Sequence, residues 1–233
     1  AALYAPFFQG IAGLLDTSVI PLFTLNYDEA VESAVDELRD IRLMDGFRRG
    51  HLQVWHREEF DGFRLGEGSA SVVLFKLHGS VSWTRAPGSE RIEKTVGVQR
   101  RRPGREHLVL YPTREPKDIQ LEPYATPYEY FDAALEHARL AVFIGTSFRD
   151  AEIVERVRRR LERRRGLIIL AVGPDADKRS IRERIGATSG NIEALKTKFD
   201  KENVARILSA ISSLLKPGKT SGLQDDVPEV AQE

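Results

Sequence analysis

Three short stretches hold the residues whose types and spacing suit chemistry: "TLNYD" at residues 24–28, "KLHGS" at 76–80 and "GTSFRD" at 145–150. Each ends an apolar run that reads as a buried strand, and each puts small or polar groups where the run stops. Imidazole is the side chain that exchanges a proton near neutral pH, so a histidine such as His78 can accept one there. Asn26 offers a donor and an acceptor without a charge. Thr146 and Ser147, at the start of a helical pattern, present hydroxyls and backbone N–H groups of the kind that bind phosphate. Simpler readings stand beside these. Asp28 and Asp150 suit helix caps, Gly79 and Gly145 suit tight turns, and a lone histidine at a strand end is often a hydrogen-bonded structural residue.

Whether these groups meet depends on the elements that carry them. Residues 3–15 have apolar groups at helical spacing, and "VIPLFTLN" follows as a buried strand. The spacing of Val31, Ala34, Val35 and Leu38 predicts an amphipathic helix over 28–42. Residues 46–68, with Trp55, His51 and His56, predict a short hairpin or irregular connection. "SVVLFKLHG" is a second buried strand and "LVLYP" a third, separated by an Arg-, Pro- and Gly-rich stretch that predicts a surface insertion over about 84–107. Helix "TPYEYFDAALEHARL", strand "AVFIG", helix "DAEIVERVRRRLERRR" and strand "GLIILAV" then alternate. That alternation predicts an α/β fold, a Rossmann-like parallel sheet with flanking helices. The arginines of "ERVRRRLERRR" are expected on a solvated face, a last helix at about 200–215, and a disordered tail over 216–233 after one domain of residues 1–215. If the three strands are neighbours, Asn26, Asp28, His78, Gly79, Ser80, Gly145, Thr146, Ser147 and Asp150 line one crevice at their carboxyl ends, where open α/β sheets bind ligands.

Composition narrows the classes. Lysine plus arginine and aspartate plus glutamate both number 35, so no net charge draws the chain to nucleic acid or a membrane surface. With no cysteine, disulfides and thiolate zinc sites are excluded. There is no long apolar run, and a cytoplasmic protein is the expectation.

"TLNYD", "KLHGS" and "GTSFRD", in this order and each after a buried strand, resemble the sirtuin-like (silent information regulator) family, whose members bind NAD and break its bond between nicotinamide and ribose. The three look like that family's T-x-N-x-D, H-G and G-T-S motifs. The Tyr in "NYD", the Lys, Leu and trailing Trp of "KLHGSVSW", and the Asp after "GTSFR" look closest to the zinc-free bacterial and archaeal NAD hydrolases, some of them antiphage defence effectors. The resemblance covers about residues 17–175. It implies that Asn26 orients the water or the ribose and that His78 is the general base, with Thr24, Asp28, Gly145, Thr146 and Ser147 binding the cofactor. NAD is then the substrate, ADP-ribose the other small-molecule ligand, and no metal, zinc included, is needed.

Two departures carry expectations. The four-cysteine zinc module of deacylase sirtuins is absent, which favours a hydrolase over a protein deacylase or a non-catalytic nucleotide sensor. The family's amino-terminal Gly-Ala-Gly loop is also missing, since "QGIAGLL" at 9–15 lies too close to Asn26 and within a helical pattern. The chain is therefore expected to lack its first dinucleotide-binding unit, and to form a homo-oligomer through an uncovered sheet edge. Where the family ends a later strand in Asn beside the adenine ribose, "LAVGP" has Gly173.

Overall fold

The computed structural model describes residues 3–15, 19–39, 41–48, 52–60, 70–95, 104–111, 118–163, 166–188 and 190–216. In chain order the elements are α1 (Tyr4–Leu14), β1 (Val19–Thr24), α2 (Ala30–Asp36), β2 (Ile41–Met44), β3 (Phe47–Arg48), β4 (Gln53–Trp55), β5 (Ala70–Lys76) and β6 (Gly79–Arg85). There follow β7 (Ile92–Lys94), β8 (Glu106–Val109), α3 (Ala125–His137), β9 (Leu140–Ile144), α4 (Ala151–Arg163), β10 (Ile168–Gly173), α5 (Lys178–Ile185), β11 (Asn191–Lys196) and α6 (Val204–Leu215).

The fold is mixed α/β, with parallel sheets and flanking helices. One parallel sheet has the order β1-β5-β2 and the other β11-β10-β9. Alternation along the strands sorts their side chains into two apolar layers shared by both sheets. Ile20, Val72, Leu74, Leu170 and Val172 face one layer with α1, α2 and α6. Leu77, Ile169 and Ala171 face the other, with Phe131 of α3 and Val157 and Leu161 of α4. Strands β5 and β10 are therefore almost continuously apolar, as expected of strands buried on both faces. Among the described residues β1 pairs only with β5 and β9 only with β10, so both are edge strands. All five residues of β9 are half-buried.

The sequence-based expectation differs from the structure in four places. The helix expected to run to residue 42 ends at Asp36, because Ile41–Met44 pairs in parallel with Ala70–Val73 of β5. The stretch expected as a surface insertion over 84–107 contains β7 and the start of β8, in a five-stranded antiparallel sheet of order β3-β4-β7-β6-β8. "LVLYP" is thus the antiparallel partner of the strand after His78 rather than a member of a parallel sheet. This sheet exists because Phe47, Trp55, Trp83, Ile92 and Leu108 bury together against Val73 and Phe75 of β5. Third, α4 does not have a wholly solvated basic face. Arg160 is buried and donates to the carbonyls of Leu135 (2.7 Å) and Glu136 (3.2 Å), the last turn of α3. Fourth, α5 and β11 lie beyond the predicted alternation. The polar core of the insertion at 96–103, His51 and the tail at 217–233 lie outside the described residues.

Candidate functional site

Strand β1 runs beside β5 with Thr24 opposite Lys76, and the Leu77 N–H donates to the Thr24 carbonyl at 2.9 Å. Two residues further on, this register puts Asn26 level with His78. Both chains leave the sheet there in fixed turns. The Asn26 N–H donates to Thr24 Oγ1 (3.0 Å), a hydroxyl-capped turn, and the Ala30 N–H donates to Asp28 Oδ1 (3.0 Å). Asp28 therefore closes an Asx turn just before Glu29, the N-cap of α2, yet Asn26, Tyr27 and Asp28 are exposed and the carboxylate has a second oxygen to offer.

The His78 corner is held from both sides. Its carbonyl accepts from the Leu110 N–H (2.9 Å), Gly79 turns at φ +75° and pairs with Val109, and the Val81 N–H donates to the Tyr27 carbonyl at 3.0 Å. Ser80 Oγ also donates to the Tyr27 carbonyl, at 3.3 Å. The "NYD" and "HGS" corners are thus bonded directly to one another.

The third corner follows β9. Gly145, at φ +69°, donates its N–H to the Val172 carbonyl (2.9 Å), and Phe148 is buried at φ +51°, a conformation uncommon for a bulky residue. Thr146 Oγ1 accepts from the Phe148 N–H (3.3 Å), and Arg184 of α5 donates to the Ser147 carbonyl (3.0 Å). Gly145 and Ser147 are exposed and Thr146 half-buried. A Cβ added at Gly145 would meet nothing within 4 Å, so open space lies beside the turn.

Asp150 joins this corner to the second. Its Oδ2 lies 3.1 Å from His78 Nε2, both side chains being nearly buried at 13% and 11% exposure, while its Oδ1 accepts from the Ile153 N–H (3.3 Å) at the start of α4. One carboxylate both caps the helix and faces the imidazole. The structure therefore brings together the ends of β1, β5 and β9, although β1 and β9 belong to different sheets. Buried Tyr128 belongs here too and was not singled out from the sequence: burial, then the Asp150 and Glu152 carboxylates, raise its hydroxyl well above the ordinary phenol range, so it stays protonated. Lys76, which the sequence offered only as part of the family likeness, is the charge at the end of the buried run "SVVLFK", and its Nζ donates to Glu32 Oε1 at 2.9 Å and to the Asp28 carbonyl. Among the described residues no three His, Cys, Asp or Glu side chains stand together as a metal site. Among the described residues no helix is long and apolar enough to cross a membrane.

The family profile described as a SIR2-like domain matches residues 21–194, from the middle of β1 to β11. The chain belongs to the SIR2-like domain family. As a SIR2-like domain it is related to NAD-using proteins, and the three corners bonded together above are those matched to the family's motifs by sequence. Among solved structures it is similar to a mutant Sir2 homologue in complex with 2'-O-acetyl ADP ribose, at 16% identity and a TM-score of 0.41, over 70% of this chain and 68% of that one. No curated protein matches it.

Proposed function

We propose that this SIR2-like domain binds NAD at the carboxyl ends of β1, β5 and β9 and hydrolyses it to nicotinamide and ADP-ribose. The observation that carries this reading is the junction of His78 with Asp150 beside the Asn26 corner, where Asn26 and Ser147 are exposed to solvent. In the reaction the C–N bond between ribose and nicotinamide breaks with its electron pair leaving on nicotinamide. Positive charge develops at the ribose carbon, and a water oxygen bonds to that carbon and gives up a proton.

Each residue has a task its chemistry suits. Asn26 is neutral beside the developing cation and orients the water or ribose through its amide. His78 takes the proton as general base, and Asp150 fixes the ring and faces the charge the imidazole acquires. Asp28 accepts from the nicotinamide carboxamide. The Gly145–Thr146–Ser147 turn, open at Gly145 and leading into α4, receives the phosphates, and Thr24 takes part in binding the cofactor. No metal enters the scheme. A role as an antiphage effector in the cytoplasm rests on likeness to bacterial NAD hydrolases alone.

The test is nicotinamide release from NAD, with and without an acetylated peptide. Release that is independent of peptide supports the hydrolase. Release only with peptide, matched by deacetylation, overturns it in favour of a deacylase, and tight ADP-ribose binding without release points to a sensor.

A further inference from the structure

A lysine ends β5, in which Val72, Val73, Leu74 and Phe75 are all fully buried. Lys76 is 1% exposed, and its ammonium lies between Glu32 Oε1 at 2.9 Å and the backbone carbonyl of Asp28. Glu32 is buried as well, and its Oε1 is 3.9 Å from Lys94 of β7, which holds Asp45 Oδ2 at 2.5 Å. Asp45, Lys94, Glu32 and Lys76 thus form one buried, neutral chain of charges from the antiparallel sheet to the corner that carries Asn26 and Asp28.

Stability is a poor explanation of such a chain. Taking ions out of water costs nearly what their attraction returns, and well-packed apolar residues of similar volume often do as well or better. What an apolar residue cannot do is donate to the Asp28 carbonyl. That carbonyl precedes α2, whose first internal bond, from the Ser33 N–H, goes to Glu29. The preceding carbonyl, of Tyr27, is held by Val81 and Ser80. Two successive carbonyls of the Asn26 corner are therefore anchored to the segment that carries His78, one by backbone and hydroxyl, the other by Lys76.

We infer that Lys76 is a positioning residue: through the Asp28 carbonyl it locks the Asn26–Asp28 corner onto the His78 corner, and Glu32, backed by Lys94 and Asp45, aims its ammonium there. The catalytic half of this inference rests on the NAD-hydrolase reading; the structural half does not.

The experiment compares wild type with Lys76→Met/Glu32→Leu, which removes both charges of the pair, leaves Lys94 and Asp45 together, and should keep the fold. Amide hydrogen exchange reads the corner through Val81, whose N–H is bonded to Tyr27, and Ala30, whose N–H is bonded to Asp28. Both should exchange at least about tenfold faster, while Ile169 and Leu170 in β10 keep their protection, as expected of local rather than global opening. The kcat for nicotinamide release should fall about 10- to 100-fold with KM changed far less, the cost of reacting groups held about 1 Å out of place. In a His78→Ala background the same pair should cost less than about threefold, because groups acting as a unit are not additive. Lys76→Gln, which has a donor but less reach, should give the same exchange signature if the double variant fails to fold. Unchanged exchange at Val81 and Ala30, or equal acceleration in β10, overturns the positioning role. Faster corner exchange with kcat intact overturns its catalytic half. If wild type releases no nicotinamide, the hydrolase reading fails and the exchange result still decides whether Lys76 locks the corner.

Discussion

Gly79→Ala perturbs the site through a glycine that the backbone requires. The φ of +75° costs an L-residue about 1–2 kcal/mol. The added Cβ would stand 2.0 Å from the Leu108 carbonyl oxygen, where the ordinary approach of carbon to carbonyl oxygen is about 3.3–3.6 Å. Strand β8 must then withdraw by more than about 1 Å, which strains the Gly79–Val109 bridge and the 2.9 Å bond from Leu110 N–H to the His78 carbonyl. One such buried group left unpaired costs about 1–3 kcal/mol. The sum is about 3 kcal/mol, which in a chain of this length lowers Tm by about 6–12 °C. Because His78 moves with its carbonyl, nicotinamide release should fall by about 10²-fold in folded protein at low temperature. Gly88→Ala is the control: its φ is +70° with nothing within 4 Å of the new Cβ, so it pays only the backbone cost of about 1–2 kcal/mol and keeps activity. Circular dichroism melts and the release assay read both. A Gly79→Ala protein that melts with Gly88→Ala and turns over like wild type refutes the β8 clash and the coupling to His78.

Arg160→Met should cost about 2 kcal/mol in urea unfolding, since it strips donors from the carbonyls at the end of α3, whereas Arg159→Met, at a half-exposed side chain, should stay within about 0.5 kcal/mol. Burial works to lower Lys94, but the Asp45 and Glu32 carboxylates overcome it and hold its ammonium above the ordinary range. That stabilisation is complete below the unfolded lysine value of about 10.4 and is lost as pH rises through the higher folded value; Lys94→Met should flatten this alkaline loss in unfolding measured from pH 9 upward. Asp177 runs the other way: the Ser180 N–H, at 2.8 Å, holds its carboxyl below the ordinary range. Its cap is intact above the unfolded aspartate value of about 3.9 and is lost as pH falls through the lower folded value, so amides of α5 should lose protection in acid before those of β10.

The parallel layers were legible because strands buried on both faces read as continuous apolar runs, and "SVVLFK" and "LIILAV" are such runs. The three polar corners were legible for the same reason, as places where those runs stop. Their meeting was harder to read. The Asp150 side chain looked like a cap, which it is, and only the fold shows that its other oxygen faces His78. Of the antiparallel sheet, the sequence shows the short hairpin within 46–68, found as β3 and β4, but not its joining to β7, β6 and β8, because β7 is three residues long, too short for a period to register, and the sheet is specified by Phe47, Trp55, Trp83 and Ile92 packing across the sequence. The helix through residues 28–42 was overextended because Leu38 and Ile41 also fit a helical period, and tertiary pairing with β5 decided otherwise. Lys76, noted from the sequence only for the family likeness, and Arg160 carry a further signal there: a charge within an apolar run or on the buried side of a helix is either an error of register or a group with a partner.

The most direct test of the account is nicotinamide release from NAD by the wild-type protein and by His78→Ala, followed by chromatography with no peptide present. Wild type should yield equal amounts of nicotinamide and ADP-ribose, and the variant, folded at the assay temperature by circular dichroism, should release nicotinamide at least about 10²-fold more slowly, the lower end for loss of a general base. Release at the wild-type rate by His78→Ala would contradict it.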